Sequence, residues 1–115
     1  MPFFKLDDLP GKVISPGHST AHGPTITGRE LEIGWYTEPK GTGAKPHHHP
    51  SEQIILVLSG RLRMRIGKEV REMGPGEVAL ILGDEEHEQV ALEEGTRFVS
   101  FKTAAGAQPV GEQRA

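Results

Sequence analysis

The chain has 115 residues, a formal charge of −3 (13 Lys+Arg against 16 Asp+Glu), 15 glycines, nine prolines and no cysteine. This length suits one domain with a modest core, the acidic balance argues against nucleic acid, and the lack of cysteine rules out disulfides and thiolate metal sites, in keeping with a reducing compartment. The opening "MPFFKLDDLPGKV" lacks the apolar run of a secretory signal, and no stretch approaches the ~18–20 apolar residues of a membrane span, so a soluble cytoplasmic protein with no membrane partner is expected.

Residues 1–25 read as an irregular N-terminal arm, interrupted by Pro10, Gly11, Pro16, Gly17, Gly23 and Pro24, with one short strand at Lys12–Ile14. His18 and His22 fall in this arm as surface residues. "LEIGWY" (Leu31–Tyr36) is extended in character; of its two adjacent aromatics, Tyr36 is the pocket candidate and Trp35 is expected to pack in the core. In "EQIILVLSG" (Glu52–Gly60), Ile55 and Val57 lie on one face and Ile54, Leu56 and Leu58 on the other. Such a strand is covered on both sides, by a second sheet or by a partner chain. "RLRMRIG" (Arg61–Gly67) alternates strictly, with Leu62, Met64 and Ile66 inward and Arg61, Arg63 and Arg65 outward, which predicts the wet face of an edge strand; the alternative is an anion site in the lumen. "GPGEVALIL" (Gly74–Leu82) is a turn followed by an apolar strand. "HEQVALEEG" (His87–Gly95) and "TRFVSFK" (Thr96–Lys102) complete the set, and Phe98, Ser100 and Lys102 share a face of the last strand. Residues 104–115 are expected to form a flexible tail. Short strands between Gly-rich turns predict an all-β domain, a sandwich or barrel over residues 26–103.

The stretch "GAKPHHHPSEQ" (Gly43–Gln53) carries three consecutive histidines. In an extended chain residues two apart share a face, so His47 and His49 point one way and His48 the other. Gln53 has the same parity as His47 and His49, provided Pro50 does not reset the register. Neutral imidazole is the commonest side-chain metal ligand near pH 7. Two histidines and an amide oxygen make a half-site that needs a further ligand, and His87 is the only histidine in the second half of the chain.

These residues resemble the cupins. The cupin first motif, G-x5-H-x-H-x3,4-E-x6-G, is matched by Gly41, His47, His49 and Gly60, with Gln53 in the acidic ligand position. The sub-pattern "HxHPxEQ" looks like small bacterial single-domain cupins in which glutamine replaces the usual glutamate. The second motif, G-x5-P-x-G-x2-H-x3-N, is matched by Gly76 and His87, while Leu82, Asp84 and Ala91 depart from its Pro, Gly and Asn. The resemblance implies a jelly-roll β-barrel and a homodimer. It also implies a divalent transition metal (Mn, Fe, Ni, Cu or Zn) held in the barrel mouth by His47, His49, Gln53 and His87. Replacing Glu by Gln removes a negative charge at the metal, leaving it more Lewis acidic and less repellent to anions.

Tyr36, Phe98, Ser100 and Lys102 are the candidate substrate-pocket residues. Around His87, the acidic residues Asp84, Glu85, Glu86 and Glu88 are expected to be a solvated turn; the alternative is a negative field that raises the His87 pKa and favours a cation. Glu52 has the wrong parity to serve the site. The expected function is that of a small metal-dependent enzyme (dioxygenase, isomerase or lyase) on a small organic, carboxylate or sugar-like molecule. The alternative is a metal-stabilised module that binds or senses a small ligand without turnover. One relative with the same His/His/Gln/His ligand type opens unsaturated uronates, using an acidic residue on the last strand for proton transfer. This chain has no Asp or Glu between Thr96 and Lys102, Ser100 being the nearest candidate, so no catalytic residue is assigned.

Overall fold

The computed structural model describes residues 2–13, 17 and 19–104. Among these residues lie a short 3-10 turn (Leu6–Asp8) and eleven strands: β1 (Lys12–Val13), β2 (His22–Gly23), β3 (Thr25–Thr27), β4 (Leu31–Glu38), β5 (Gly43–His47), β6 (Gln53–Ser59), β7 (Leu62–Ile66), β8 (Glu69–Met73), β9 (Val78–Ile81), β10 (His87–Ala91) and β11 (Thr96–Thr103). The larger sheet runs β1-β2-β4-β11-β6-β9, with β3 also paired to β4, and the smaller runs β5-β10-β7-β8. All the pairings are antiparallel. The two sheets face each other as a jelly roll. The expected strand at Lys12–Ile14 corresponds to β1, whose last expected residue lies outside the described residues, as do His18 and residues 105–115.

The sequence alternation explains the core. From the large sheet, Tyr36, Ile55, Val57, Ala79, Ile81 and Phe98 point inward; Leu62, Met64 and Met73 meet them from the small sheet. Leu62 and Ile81 are fully buried. The doubly apolar strand β6 is therefore covered by the second sheet on its Ile55–Val57 face. Its other face, with Ile54 and Leu58, remains exposed.

Two expectations change. The arginine strand β7 is not an edge strand: it lies between β10 and β8. The partner β8, "EVREM", buries only Met73, so it carries no apolar alternation by which its sequence announces a strand. Trp35 is not in the core either. It pairs with Val99 on the face of β4 opposite to Tyr36, half-buried on the outside of the large sheet.

Residues 19–23 close one side of the barrel. Ser19 bridges to Ala44 in the small sheet, and His22 pairs with Thr37 in the large one. The motif glycines sit where the chain reverses between strands: Gly41, Gly60 and Gly76 have φ of 80°, 75° and 84°. L-residues avoid that left-handed region and glycine enters it freely.

Candidate metal centre

The first motif supplies β5 up to His47 and the start of β6 at Gln53, with a bend at Pro50–Ser51 between them. The second supplies His87 at the start of β10, opposite His47 in the β5–β10 pairing. Asp84 occupies the position where the family pattern has glycine, and it is the one described non-glycine residue with positive φ, 61°. Its backbone N–H donates to the His49 carbonyl at 2.7 Å. This bond fastens the loop before His87 to the loop that carries His49, so the departures from the second motif leave His87 presented to the first.

His47, His49 and His87 converge: one ligand nitrogen from each lies within 4.8 Å of the others. The ring centroids of His47 and His87 are 4.2 Å apart, and those of His49 and His87 are 4.9 Å apart. In every ring Nδ1 faces a backbone carbonyl: Lys45 O at 2.6 Å from His47, Ser51 O at 2.9 Å from His49 and Glu85 O at 2.8 Å from His87. A carbonyl only accepts, so each neutral ring carries its proton on Nδ1 and turns a lone pair outward on Nε2. His87 is buried, and its Nε2 has no hydrogen-bond partner among the described residues. Buried polar atoms are rarely left in that state, and three converging imidazole lone pairs are a donor set for a divalent transition metal. The three imidazoles could hold such an ion.

The electrostatics favour the neutral, ligating form of two of these rings. Burial lowers the His87 pKa below its ordinary value, opposed by the Glu85 carbonyl and reinforced by His47 and His49. Burial likewise lowers His49, with Lys102 and His47 adding to the effect against the Ser51 carbonyl and the Gln53 amide. The alternative of an acidic field that raises the His87 pKa is thereby corrected. Glu86 and Glu88 are instead drawn to Arg65, whose guanidinium meets them at 2.9 and 2.7 Å, and the Glu85 carboxylate accepts from Leu82 N.

Gln53 Nε2 donates to Ser100 Oγ at 2.8 Å, which leaves the amide oxygen free of that bond. Tyr36, Phe98, Ser100 and Lys102, together with the three imidazoles and Gln53, line a cavity of about 270 Å³. Its size is just below the usual range for drug-sized ligands, ~300–1,000 Å³, and suits a small molecule. The Tyr36 and Phe98 rings meet edge to face, 5.8 Å apart, and Tyr36 OH is bonded to Thr25 Oγ1 at 2.9 Å. Burial raises the Tyr36 pKa, so this phenol keeps its proton. A Cβ on Gly34 would fall on the Tyr36 ring; the glycine makes the space in which that ring lies.

Sequence reasoning placed His48 on the opposite face, yet it reaches the rim of the same cavity. The strand ends at His47, so alternation stops applying there. His48 is exposed and stands 3.6 Å from Asp84. Gln89 also lines the cavity; its signal was its position two residues after His87 on the same strand. Behind it lies Glu38, fully buried, with both carboxylate oxygens accepting from Gln89 Nε2 at 3.1 and 3.0 Å. Burial pushes the Glu38 pKa up to about 7. Its signal was parity with Tyr36 along β4, which overrides the rule that charged residues face water.

No curated protein matches the chain in sequence. Solved structures match its fold. KdgF from Halomonas sp. superposes with a TM-score of 0.80 at 20% identity, covering 90% of this chain and 94% of that one. An RmlC-like cupin from Shewanella frigidimarina gives 0.80 at 15% identity, covering 92% and 93%. A Bacillus subtilis oxalate decarboxylase with Mn(II) centres gives 0.74 at 17% identity, covering 91% of this chain and 30% of that one. No helix among the described residues is long and apolar enough to cross a membrane. The model of the cupin domain matches residues 34–100, the span that carries both histidine motifs and the strands between them, and the chain belongs to the cupin family.

Proposed function

We propose that this cupin is a metal-dependent enzyme that acts on a small carboxylate or sugar-like molecule bound in the barrel mouth. His47, His49 and His87 hold a divalent transition metal through Nε2, and Gln53 adds its amide oxygen. Mn, Fe, Ni, Cu and Zn all accept such N/O ligands, and Mn(II) is the ion named for the oxalate decarboxylase of similar fold. The observation that carries the reading is the unpartnered Nε2 of buried His87, aimed where the other two imidazoles converge. When bound, the ion supplies Lewis acidity toward a substrate carbonyl or carboxylate.

The chain's own residues do the rest. The Lys102 ammonium, held near Glu32 at 3.8 Å, attracts an anionic substrate group to the mouth. Tyr36 and Phe98 give the cavity an apolar wall, and the protonated phenol of Tyr36 can donate a hydrogen bond. Ser100 orients Gln53 by accepting from its amide, and its own O–H is left to donate. The reaction class is dioxygenation, isomerisation or lyase chemistry.

A second reading, a small-ligand binding or sensing module, is favoured by one observation. No Asp or Glu lines the cavity among the described residues, so proton transfer would fall to His48, Tyr36, Ser100 or Lys102. The experiment combines metal content by plasma mass spectrometry, oxygen uptake and product analysis on a panel of small acids and sugar acids, with a His47→Ala/His87→Ala variant alongside. About one metal per chain, lost in the variant, together with turnover, supports the enzyme. Ligand-induced thermal stabilisation without product supports the binder. A chain that binds none of the five metals overturns both.

A further inference from the structure

We infer that Gln89 selects substrates by a hydroxyl group: its amide oxygen accepts from a hydroxyl on the carbon chain of the bound acid, and Glu38 is the positioning residue that turns that oxygen toward the cavity. The inference rests on the proposed reading of the barrel mouth as a metal-dependent acid site, and it narrows the substrate to hydroxy acids. Gln89 is buried, lines the cavity and lies two residues beyond His87 on β10. The two side chains share a face of the strand, with Cα atoms on the order of 7 Å apart. An acid whose carboxylate lies at His87 Nε2 therefore brings a hydroxyl one or two carbons away toward Gln89.

The amide is held from behind. Gln89 Nε2 donates to the two Glu38 carboxylate oxygens at 3.1 and 3.0 Å. An ionised carboxylate only accepts, so the end of the amide that faces it is the nitrogen. Among the described residues, His87 Nε2 is the one enclosed side-chain polar atom without a partner. The Gln89 oxygen takes no hydrogen bond there either, so it is not enclosed: it opens on the cavity. The negative charge behind the amide strengthens that oxygen as an acceptor. Tyr36, Ser100 and Lys102 each have a hydrogen to donate, which suits a carboxylate, whereas the Gln89 oxygen can only accept. A carboxylate or keto oxygen has nothing to give it. A substrate ammonium is repelled by Lys102 and by a bound metal ion. A hydroxyl is the group that remains. Glu38 is fully buried, a costly place for a carboxyl, and an apolar residue would fill the same space without that cost.

The test is calorimetric titration of the full chain with propionate, lactate and pyruvate, loaded with Ni and again after chelation, at about pH 8.5, where Glu38 is ionised. The three acids differ only at the second carbon, which carries hydrogen, a hydroxyl or a keto oxygen. A hydroxyl can also chelate a metal, so the deciding quantity is the ratio of lactate to propionate affinity, compared between wild type and variants. Gln89→Leu should lower that ratio roughly 3- to 10-fold, the worth of one hydrogen bond, with metal content kept and the pyruvate ratio unmoved. Gln89→Met serves the same purpose should Gln89→Leu fail to fold. In Glu38→Gln the new amide can donate as well as accept, which frees Gln89 to turn over. The lactate ratio should fall there too, a change in selectivity that a loss of packing alone does not give. An unchanged lactate ratio in the Gln89 variants overturns the inference and leaves the metal reading standing. A ratio lowered in Gln89→Leu but not in Glu38→Gln overturns the positioning role of Glu38. A chain that takes up no Ni or other metal overturns the proposed function, and the ratio in the chelated chain then decides the hydroxyl selection by itself. Binding of none of the three acids in either form overturns the inference.

Discussion

Gln53 and Ser100, 47 positions apart in sequence, are joined from β6 to β11 by a 2.8 Å hydrogen bond in which the amide donates and the hydroxyl accepts. The bond decides which end of a symmetric-looking amide is available in the cavity. In Ser100→Ala the amide loses its anchor and can rotate, presenting N–H where the oxygen should be. Removing such an orienting partner typically weakens metal binding about 10–100-fold. Competition titration with a chelator is expected to show a loss of at least 10-fold for Zn or Mn with little change in folding; unchanged affinity would mean that Gln53 is not a ligand.

Metal should stabilise the fold itself, since the three imidazoles come from β5, the loop after it and β10 and meet only when β5 and β10 are paired. At a free ion concentration 100 times the dissociation constant, the gain is about 2.7 kcal/mol. For a domain of this size that raises the Tm by roughly 10 °C or more. Scanning calorimetry with and without each ion, and after chelation, measures it. The His47→Ala/His87→Ala variant should show no shift; a shift of equal size there would place the ion elsewhere.

Glu38 should make stability fall as pH rises. Buried without a cation partner among the described residues, its carboxyl titrates at about 7 in the folded chain against 4.5 unfolded, so the folded state binds the extra proton between those values. The stabilising effect of the neutral form is complete below about pH 4.5 and is lost as pH climbs through about 7. The difference amounts to about 3 kcal/mol. Glu38→Gln keeps an amide that can bond to Gln89 and removes the titration. Urea denaturation should find the variant close to wild type at pH 5 and more stable by up to about 3 kcal/mol at pH 8.5. An equal difference at the two pH values would contradict this account. The lowered histidines act in the opposite sense below pH 6.5, but they are common to both proteins and cancel in the comparison.

Gly34→Ala tests the aromatic wall. The added methyl would fall on the Tyr36 ring, and overpacking of this kind destabilises by about 1–3 kcal/mol. Thermal denaturation should show the loss. Binding of a small acid to the metal-loaded protein should weaken as well if the displaced ring moves into the cavity it lines. A neutral Gly34→Ala would show that the ring moves freely without occupying it.

The core was legible where one face of a strand is wet: strict alternation in "RLRMRIG" separates the buried Leu62 and Met64 from exposed Arg63. The convergence of three imidazoles could be read because motif spacing survives even where Pro50 breaks the strand. Alternation failed elsewhere for definite reasons. The two faces of β4 are both partly covered, so nothing local said that Tyr36 and not Trp35 faces the core. Strand β8 is an edge with four exposed residues out of five, and its polarity hid it. Glu38 is a carboxyl inside a core, a placement decided by Gln89, 51 positions away. His48 was misplaced because strand parity was extended one residue past the strand's end.

The three imidazoles are steered by the carbonyls of Lys45, Ser51 and Glu85, atoms common to every amino acid. At Ser51 a side chain adds to the grip, its hydroxyl lying 3.0 Å from His49 Nδ1. The parts of the centre that aim its ligands therefore leave almost no signature in residue identity. Positions 45 and 85 can drift through evolution without disturbing the aim, so long as the turns that present their carbonyls keep their shape. Two chains with little sequence in common could carry this centre in the same orientation, and a search by identity around the histidines would overlook half of what makes it work.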